Sequence, residues 1–551
     1  MSEINEGKKS EYRVAVGIDV GTTYSSFAYA HKKAPREIYP YTDWPEFSGR
    51  FKTPTALLYD EGFKNLKAWG FPALAERPTR RNKNSTSKPV ERFTLHLGSM
   101  ENKSPLPNGL DYKKAITDYL RELSKIIKQT IANIWELDFF THVVLVLTIP
   151  TEFDDNAIAI MRACAFEAGL LRNLNSRNLV FITEPEAAAI HCMESLKQHN
   201  LQVGTNIMVV DCGGGTVDLT TRQLLDDDKL SEITERTKDF CGGSYVDQEF
   251  LNFLRCRVGT STINLVNDKH YHQLQYVLQE FCRKVKIRFS GDKSEFVPVD
   301  LELDELCPVL EKYCKGEYLN RMEQNDWRVR LNFEDVKAMF DPVVERIMLL
   351  INAQLRSSNN SSALILVGGF SESKYLQSRI KQEFSTKVRV ISIPPQPATA
   401  IIKGAVTYGM KEEVHTSRVL KWTYGTSINK KWKQGDPEER KLPGGRINRF
   451  DRLAKKGTQV DERVTRTFYP CCKHQRKIVI DIFITSEDDA KYCDDPHVKP
   501  LGRLSIELPL SLNDEICFIT FTLTFDDFEI QACTEVSNIG ERYETTFYLD
   551  V

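Results

Sequence analysis

Two aspartates, each followed at once by a glycine turn bearing threonine, are the residues of this 551-residue chain best suited to chemistry. In GIDVGTTYSSFAYA, Asp19 precedes Gly21, Thr22 and Thr23; in VVDCGGGTVDLT, Asp211 precedes Gly213, Gly214, Gly215 and Thr216. Glycine in a strand region costs backbone entropy, so a triplet there implies angles, or a close approach to a ligand, that a side chain would forbid. Backbone N–H groups in such a turn, with hydroxyls beside them, make a concavity that holds phosphate oxygens without a charged side chain. One such turn is an ordinary hairpin. Two at matching places predict hairpins that close on one polyphosphate.

A third carboxylate, Glu184, stands just past the apolar run of NLVFITEPEAAAI, where ligands bind in open α/β sheets. Carboxylates at strand ends are costly to bury unpaired. A magnesium ion relieves that cost, held by Asp19 and Asp211 through waters as readily as directly, since magnesium prefers oxygen and keeps several waters. Asp218 is placed to orient an attacking water, because phosphoryl transfer needs mainly positioning and charge stabilisation; taken alone, it is equally a strand-end aspartate capping a turn. Gly242 and Gly243 in DFCGGSYVDQEFL open a helix whose amino terminus suits a ribose or phosphate, and Gly368 and Gly369 in ILVGGFSES occupy a similar strand-to-helix position; taken alone, each pair is equally a helix start that needs a tight turn.

The elements that must carry these residues repeat. Each half has strand, aspartate, glycine turn and strand, then a buried strand running into a helix: HVVLVLTIPTEFDDNAIAIMRACAFEAGLL in the first, SSALILVGGFSESKYLQSRIKQEF in the second. Asp154 or Asp155 caps a helix that places Ile158, Met161, Ala165 and Ala168 on one face. From about Leu420 the texture changes to short alternating runs such as RKIVIDIFITS and ICFITFTLTF, which read as an antiparallel β-sandwich. The loop KKWKQGDPEERKLPGG reads as charged and solvated.

Composition narrows the function classes. With 74 basic and 76 acidic residues, the chain lacks the basic excess of a nucleic-acid or anionic-membrane binder. The length corresponds to about three to four domains. Thirteen cysteines include no CxxC or Cys/His metal spacing, and the doublet Cys471-Cys472 is too close for an ordinary bridge, so reduced thiols are expected. The polar start MSEINEGKKSEYR lacks an apolar core, and no apolar run is long enough to span a bilayer; a cytoplasmic protein is expected.

In order and spacing, GIDVGTTYSSFAYA, ITEPEAAAI, VVDCGGGTVDLT, CGGSYVDQEF and LILVGGFSESKYLQ resemble the actin-like ATPase superfamily, and most closely the DnaK-like heat-shock-seventy chaperones. The resemblance implies a two-lobed α/β ATPase of duplicated ribonuclease-H-like fold, then a β-sandwich. Its boundaries are lobe I at 1–205, lobe II at 206–410, a linker at 411–418 and the β-domain at 419–551. It also implies ATP or ADP with Mg2+ as cofactors. Asp19, Gly21, Thr22 and Thr23 resemble the first phosphate loop, Glu184 the water- or metal-positioning glutamate, and Asp211, Gly213, Gly214, Gly215, Thr216 and Asp218 the second loop. Gly242, Gly243, Gly368 and Gly369 resemble adenosine-side contacts, as do Lys286 and Ser290.

The departures shape the expected activity. Thr94 in TLHLG occupies the place of the family's catalytic lysine, with Arg92 or Lys88 as candidate substitutes, so hydrolysis is expected to be slow. Arg283 and Ile287 replace a glutamate and an arginine, Glu372 an arginine, and Ala398 an aspartate, leaving adenine selectivity open. The linker segment GMKEEVHTSRVLKW is charged where the family's is apolar, and the chain stops at Val551 with no helical lid. This pattern is similar to the family's divergent member-twelve branch. The expectation is a divergent chaperone, a weak Mg-dependent ATPase at most, whose nucleotide state modulates the binding of unfolded or specific clients by the β-domain. Co-chaperones or exchange factors are possible further partners. The alternatives are a nucleotide-gated scaffold with little turnover and, less favoured for want of a base aspartate and because of the β-domain, a superfamily metabolite kinase.

Overall fold

Each aspartate turn sits at the tip of a hairpin in the middle of its own six-stranded mixed sheet. The structure is a computed structural model describing residues 12–75, 88–98, 105–174, 176, 178–197, 201–225, 230–232, 237–357, 361–410, 418–419, 422–456, 459–460, 463–469, 477–487, 490–507, 518–525, 530–536 and 542–547. It divides into two compact units, one of Met1–Glu152, Cys164–Arg172 and Ser176–Lys411, the other of Phe153–Ala163, Asn173–Asn175 and Glu412–Val551. Both mixed sheets belong to the first unit.

The first sheet runs Leu179–Thr183, Val143–Ile149, Val14–Val20, Tyr24–His31, Tyr39–Pro40, with Thr53–Pro54 also paired to Tyr24–His31. The second runs Leu230–Glu232, Val217–Leu224, Asn206–Cys212, Ala363–Val367, Val390–Ser392, with Thr237–Asp239 also on Val217–Leu224. In both, the aspartate strand pairs antiparallel with its hairpin mate and parallel with the next buried strand. The registers correspond: Asp19 faces Ser26 and Thr148, and Asp211 faces Asp218 and Val367. Every residue of Val14–Val20 and Val143–Ile149 is buried, as expected of strands covered on both faces.

Helices follow the strands at the aspartate end. Glu184–Lys197 begins directly after Leu179–Thr183, so Glu184 is at once strand end and helix start. Asp154 caps Asp155–Glu167 by accepting from the Ala157 amide at 2.8 Å; Ile158, Met161, Ala165 and Ala168 are all buried. Around the second sheet, Phe250 stacks on Phe281 at 4.0 Å and Phe289 packs near Phe340 and Tyr375. The helix Ala400–Met410 closes the second half in sequence but packs on the first sheet, with Ile402 and Val406 in one core with Ala15, Ala28, Ala30 and Val144.

The second unit is β-rich. Its sheets run Arg446–Ala454, Thr423–Lys431, Lys477–Thr485, Val498–Glu507 and Arg463–Phe468, Ile519–Phe525, Ile530–Val536, Arg542–Phe547, all antiparallel. One core joins Ile480, Ile482 and Ile506 to Phe521, Leu523 and Ala532. The loop 430–445 is more than a solvated run, because Asp436 pins it: the carboxylate accepts from the Lys433 amide at 2.9 Å, the Tyr492 hydroxyl at 3.1 Å and Arg449. Among the described residues beyond Met410 there is no α-helix. Residues 411–417 of the charged linker and the Cys471-Cys472 doublet lie outside the described residues. Every cysteine among the described residues is a free thiol, and among them no helix is long and apolar enough to cross a membrane.

Candidate nucleotide and metal site

The matching registers bring the two hairpin tips together. An added Cβ at Gly214 would lie 3.4 Å from Thr23 Cβ, so the second glycine turn rests against the first. The first turn is braced from below: Thr55 donates its hydroxyl to the Gly21 carbonyl at 2.8 Å and its amide to the Thr23 carbonyl at 2.9 Å. The second is closed by the Gly213 amide on the Thr216 carbonyl at 2.9 Å. Its carbonyls are taken by the amides that lead into the helix Ser244–Val258: Gly242 N on Gly215 O at 3.3 Å, Gly243 N on Gly213 O at 3.0 Å and Ser244 N on Gly214 O at 2.7 Å. The glycine pair and the first helical amide therefore hold the loop. Lys286 joins the same corner, donating to Gly243 O and Asp247 at 2.6 Å each.

Four carboxylates beside the turns, Asp19, Glu184, Asp211 and Asp218, lie close enough to feel one another's charge. Asp19 and Asp211 are 3% and 8% exposed. Thr148 donates to Asp19 Oδ1 at 3.1 Å, and Lys52 donates to Oδ2 at 2.9 Å. Burial and the neighbouring Asp218 push Asp211 up to about 7, while its Oδ1 is buried and has no hydrogen-bond partner among the described residues. Burial, then Asp19, Asp211 and Asp218, hold Glu184 well above the usual carboxylate range. Burial also raises Asp218; Lys238 opposes this shift and Glu152 adds to it.

Two lysines supply the compensating charge, and the motifs singled out neither. Lys52 is pulled down by burial, but Asp19, Asp211 and Glu184 outweigh that and raise it. Lys238 bridges Glu152 and Asp218, at 3.5 Å from the latter, and these carboxylates overcome burial to bring it to about 12. The candidates expected at this place behave differently. Lys88 pairs with Asp268 on the surface at 3.0 Å, and Arg92 acts on Glu91. Thr94 is buried, its hydroxyl has no partner among the described residues, and it brings no charge. A signal for Lys52 was present in RFKTPT, a lysine just before a proline-containing strand; only the pairing of Thr53–Pro54 with Tyr24–His31 shows that it lands beside Asp19.

The remaining motif residues sit nearby or apart. Gly368 has φ +89, and a Cβ there would run into Asp211 Oδ1 and come within 2.5 Å of Cys212 O. The space a Cβ would take at Gly369 is open. Glu372 feels Lys52 and Arg50, whereas Ser290 accepts from the Asp292 amide in an exposed turn. Arg283 is tied to Glu280, and Ile287 is half exposed. Ala398 is buried beside Pro397, whose carbonyl accepts from the Gly368 amide at 3.0 Å.

A divalent cation fits this donor set. The unpartnered Asp211 oxygen and the proton affinity of Glu184 both show a site short of positive charge. Among the described residues no group of three acidic, histidine or cysteine side chains could hold a metal ion by itself; a magnesium ion here would need waters and phosphate beside one or two carboxylates.

Comparison with known proteins agrees with this geometry. Residues 124–478 match the family described as Hsp70 protein, a stretch that includes Glu184, Asp211, Asp218 and both later glycine pairs. The chain is 26% identical to heat shock 70 kDa protein 12A of Homo sapiens, over 92% of this chain and 86% of that protein. Against the 12A protein of Mus musculus it is 26% identical over 95% and 90%, and against heat shock 70 kDa protein 12B of Homo sapiens 24% over 92% and 85%. With an actin-like ATPase domain of mixed sheets, a β-rich C-terminal region and the family match over more than half its length, the chain belongs to the Hsp70 family, in a divergent branch alongside 12A and 12B.

Proposed function

We propose that this chain binds ATP with magnesium between two lobes built on the mixed sheets, hydrolyses it slowly, and uses nucleotide state to modulate client binding by its C-terminal β-sandwich. The observation that supports this most is the buried carboxylate cluster at the tips of twin glycine hairpins, with one Asp211 oxygen unpartnered. Asp19 and Asp211 would hold the magnesium ion through waters, and the bound ion would neutralise charge on the phosphates. The amides of Gly21 to Thr23 and Gly214 to Thr216 cradle the phosphate oxygens, while the Gly213 amide closes the second turn on the Thr216 carbonyl. Asp218 orients the attacking water, and Glu184 positions water or the metal beside it. Lys286, Gly242, Gly243, Gly368 and Gly369 line the nucleoside side. Clients are unfolded or specific protein segments, and co-chaperones or exchange factors are further partners. The free thiols fit a reducing compartment such as the cytoplasm.

A second reading, a nucleotide-gated scaffold with little turnover, is favoured by Thr94, which leaves the family's lysine position uncharged. Binding of a fluorescent unfolded client to the full chain, by anisotropy without nucleotide, with ATP and with ADP, tests the coupling. Client affinity is expected to differ severalfold between ATP and ADP; equal affinity in all three would refute coupling. Gly214→Val, whose added side chain meets Thr23 and the phosphate cradle, is expected to weaken ATP binding about tenfold or more and to remove that difference. Unchanged ATP affinity in a folded variant would sink the phosphate-loop assignment.

A further inference from the structure

The structure fixes Lys52 to the first glycine turn more firmly than its place in the sequence suggests. The strand it leads into pairs as Thr53 with Ser25 and Pro54 with Tyr24, and Thr55 is bonded to the carbonyls of Gly21 and Thr23. The lysine backbone is thus set beside the turn whose amides face the phosphate site. Its side chain is 19% exposed and ends 2.9 Å from the nearly inaccessible Asp19 carboxylate. An ammonium has three donors, and among the described residues this one makes a single hydrogen bond, to Asp19. Two N–H groups remain for an acceptor.

Its surroundings indicate which acceptor. Lys238 is committed to two carboxylates, Glu152 and Asp218, and Lys286 to Gly243 and Asp247. Lys52 alone of the three has a single hydrogen-bond or ion-pair partner among the described residues, and the carboxylate that accepts from it is one of the two expected to turn toward a metal's water shell. A charge-assisted hydrogen bond can be exchanged for another of equal kind at little net cost, since both ends remain ionic.

We propose that Lys52 is the phosphate-contacting cation of this site, releasing Asp19 and moving to the polyphosphate when nucleotide binds. The inference rests on the nucleotide reading above. It gives one side chain two tasks: in the free protein it neutralises Asp19, and in the complex it neutralises phosphate while Asp19 becomes available to the metal. Lys52 therefore shares the work of the divalent ion, and its contribution is greatest when that ion is withheld.

The test is calorimetric titration of the full chain with ATP, in magnesium and in EDTA, for wild type, Lys52→Gln and the paired Asp19→Asn/Lys52→Gln variant. The paired variant removes both charges, so it keeps the comparison usable if Lys52→Gln alone does not fold. Loss of one charge-assisted contact corresponds to a fall in affinity of roughly ten- to hundredfold. Lys52→Gln is expected to show that fall in magnesium and a larger one in EDTA. ATP affinity equal to wild type, or a loss no larger in EDTA than in magnesium, would overturn the inference while leaving the nucleotide reading intact. A folded wild-type protein that binds no ATP in magnesium would instead overturn the nucleotide reading, and the inference with it.

Discussion

Asp211→Asn is expected to stabilise the nucleotide-free protein at pH 8 and to abolish the stability it gains from magnesium and ATP. Burial and the nearby Asp218 raise Asp211 to about 7, and its Oδ1 finds no partner. In the unfolded chain the same group titrates near 3.8. Below that pH the carboxyl is protonated in both states and contributes no difference. As pH rises toward 7 the unfolded chain gives up the proton while the folded chain keeps it, so stability falls; above 7 the folded state carries the full cost of a buried charge. That cost is on the order of a few kcal/mol. Asparagine removes the charge and brings an N–H donor toward a site rich in carboxylates. Urea unfolding at pH 5 and pH 8 should show a gain of roughly 1–3 kcal/mol at pH 8 and much less at pH 5. A gain that does not change with pH would show that Asp211 does not carry this charge cost.

Gly368→Ala is expected to destabilise by about 2–4 kcal/mol and to remove detectable nucleotide binding. Two effects combine at this position. At φ +89 the backbone is in the region L side chains avoid, and the new methyl would press on Asp211 Oδ1 and Cys212 O. Only the second depends on Asp211, so a double-mutant cycle separates them. In an Asp211→Ala background the penalty should shrink by about 1 kcal/mol or more, because the methyl gains room while the backbone strain stays. A penalty unchanged in that background would mean the close approach to Asp211 is not what glycine serves there.

How much of this was legible in the sequence follows from the range of the interactions. Asp19 and Asp211 could be placed at strand ends because apolar runs and glycine turns are local signals, and the registers opposite Ser26 and Asp218 follow from those hairpins. The β-rich C-terminal texture was readable for the same reason. Lys52 was not, because a lysine in an extended segment is unremarkable until Thr53–Pro54 pairs with Tyr24–His31. Nor was the bridge from Lys238 to Glu152, which joins residues far apart in the chain, on Thr237–Asp239 and just past Val143–Ile149. The packing of Ala400–Met410 on the first sheet escapes a linear reading too, since an apolar helix does not say which sheet it covers. Resemblance drew the search for a cation to Thr94 and its neighbours, whereas tertiary structure supplies the charge from a different strand.

The most direct test of the account is a single-turnover measurement on the full chain. Protein is loaded with magnesium and radiolabelled ATP, free nucleotide is removed, and retained label and released phosphate are followed together. Label is expected to stay with the protein while phosphate is released slowly, and Gly214→Val is expected to retain far less. Absence of retained label in protein shown to be folded would contradict the claim that the twin glycine hairpins and their carboxylates form a nucleotide site.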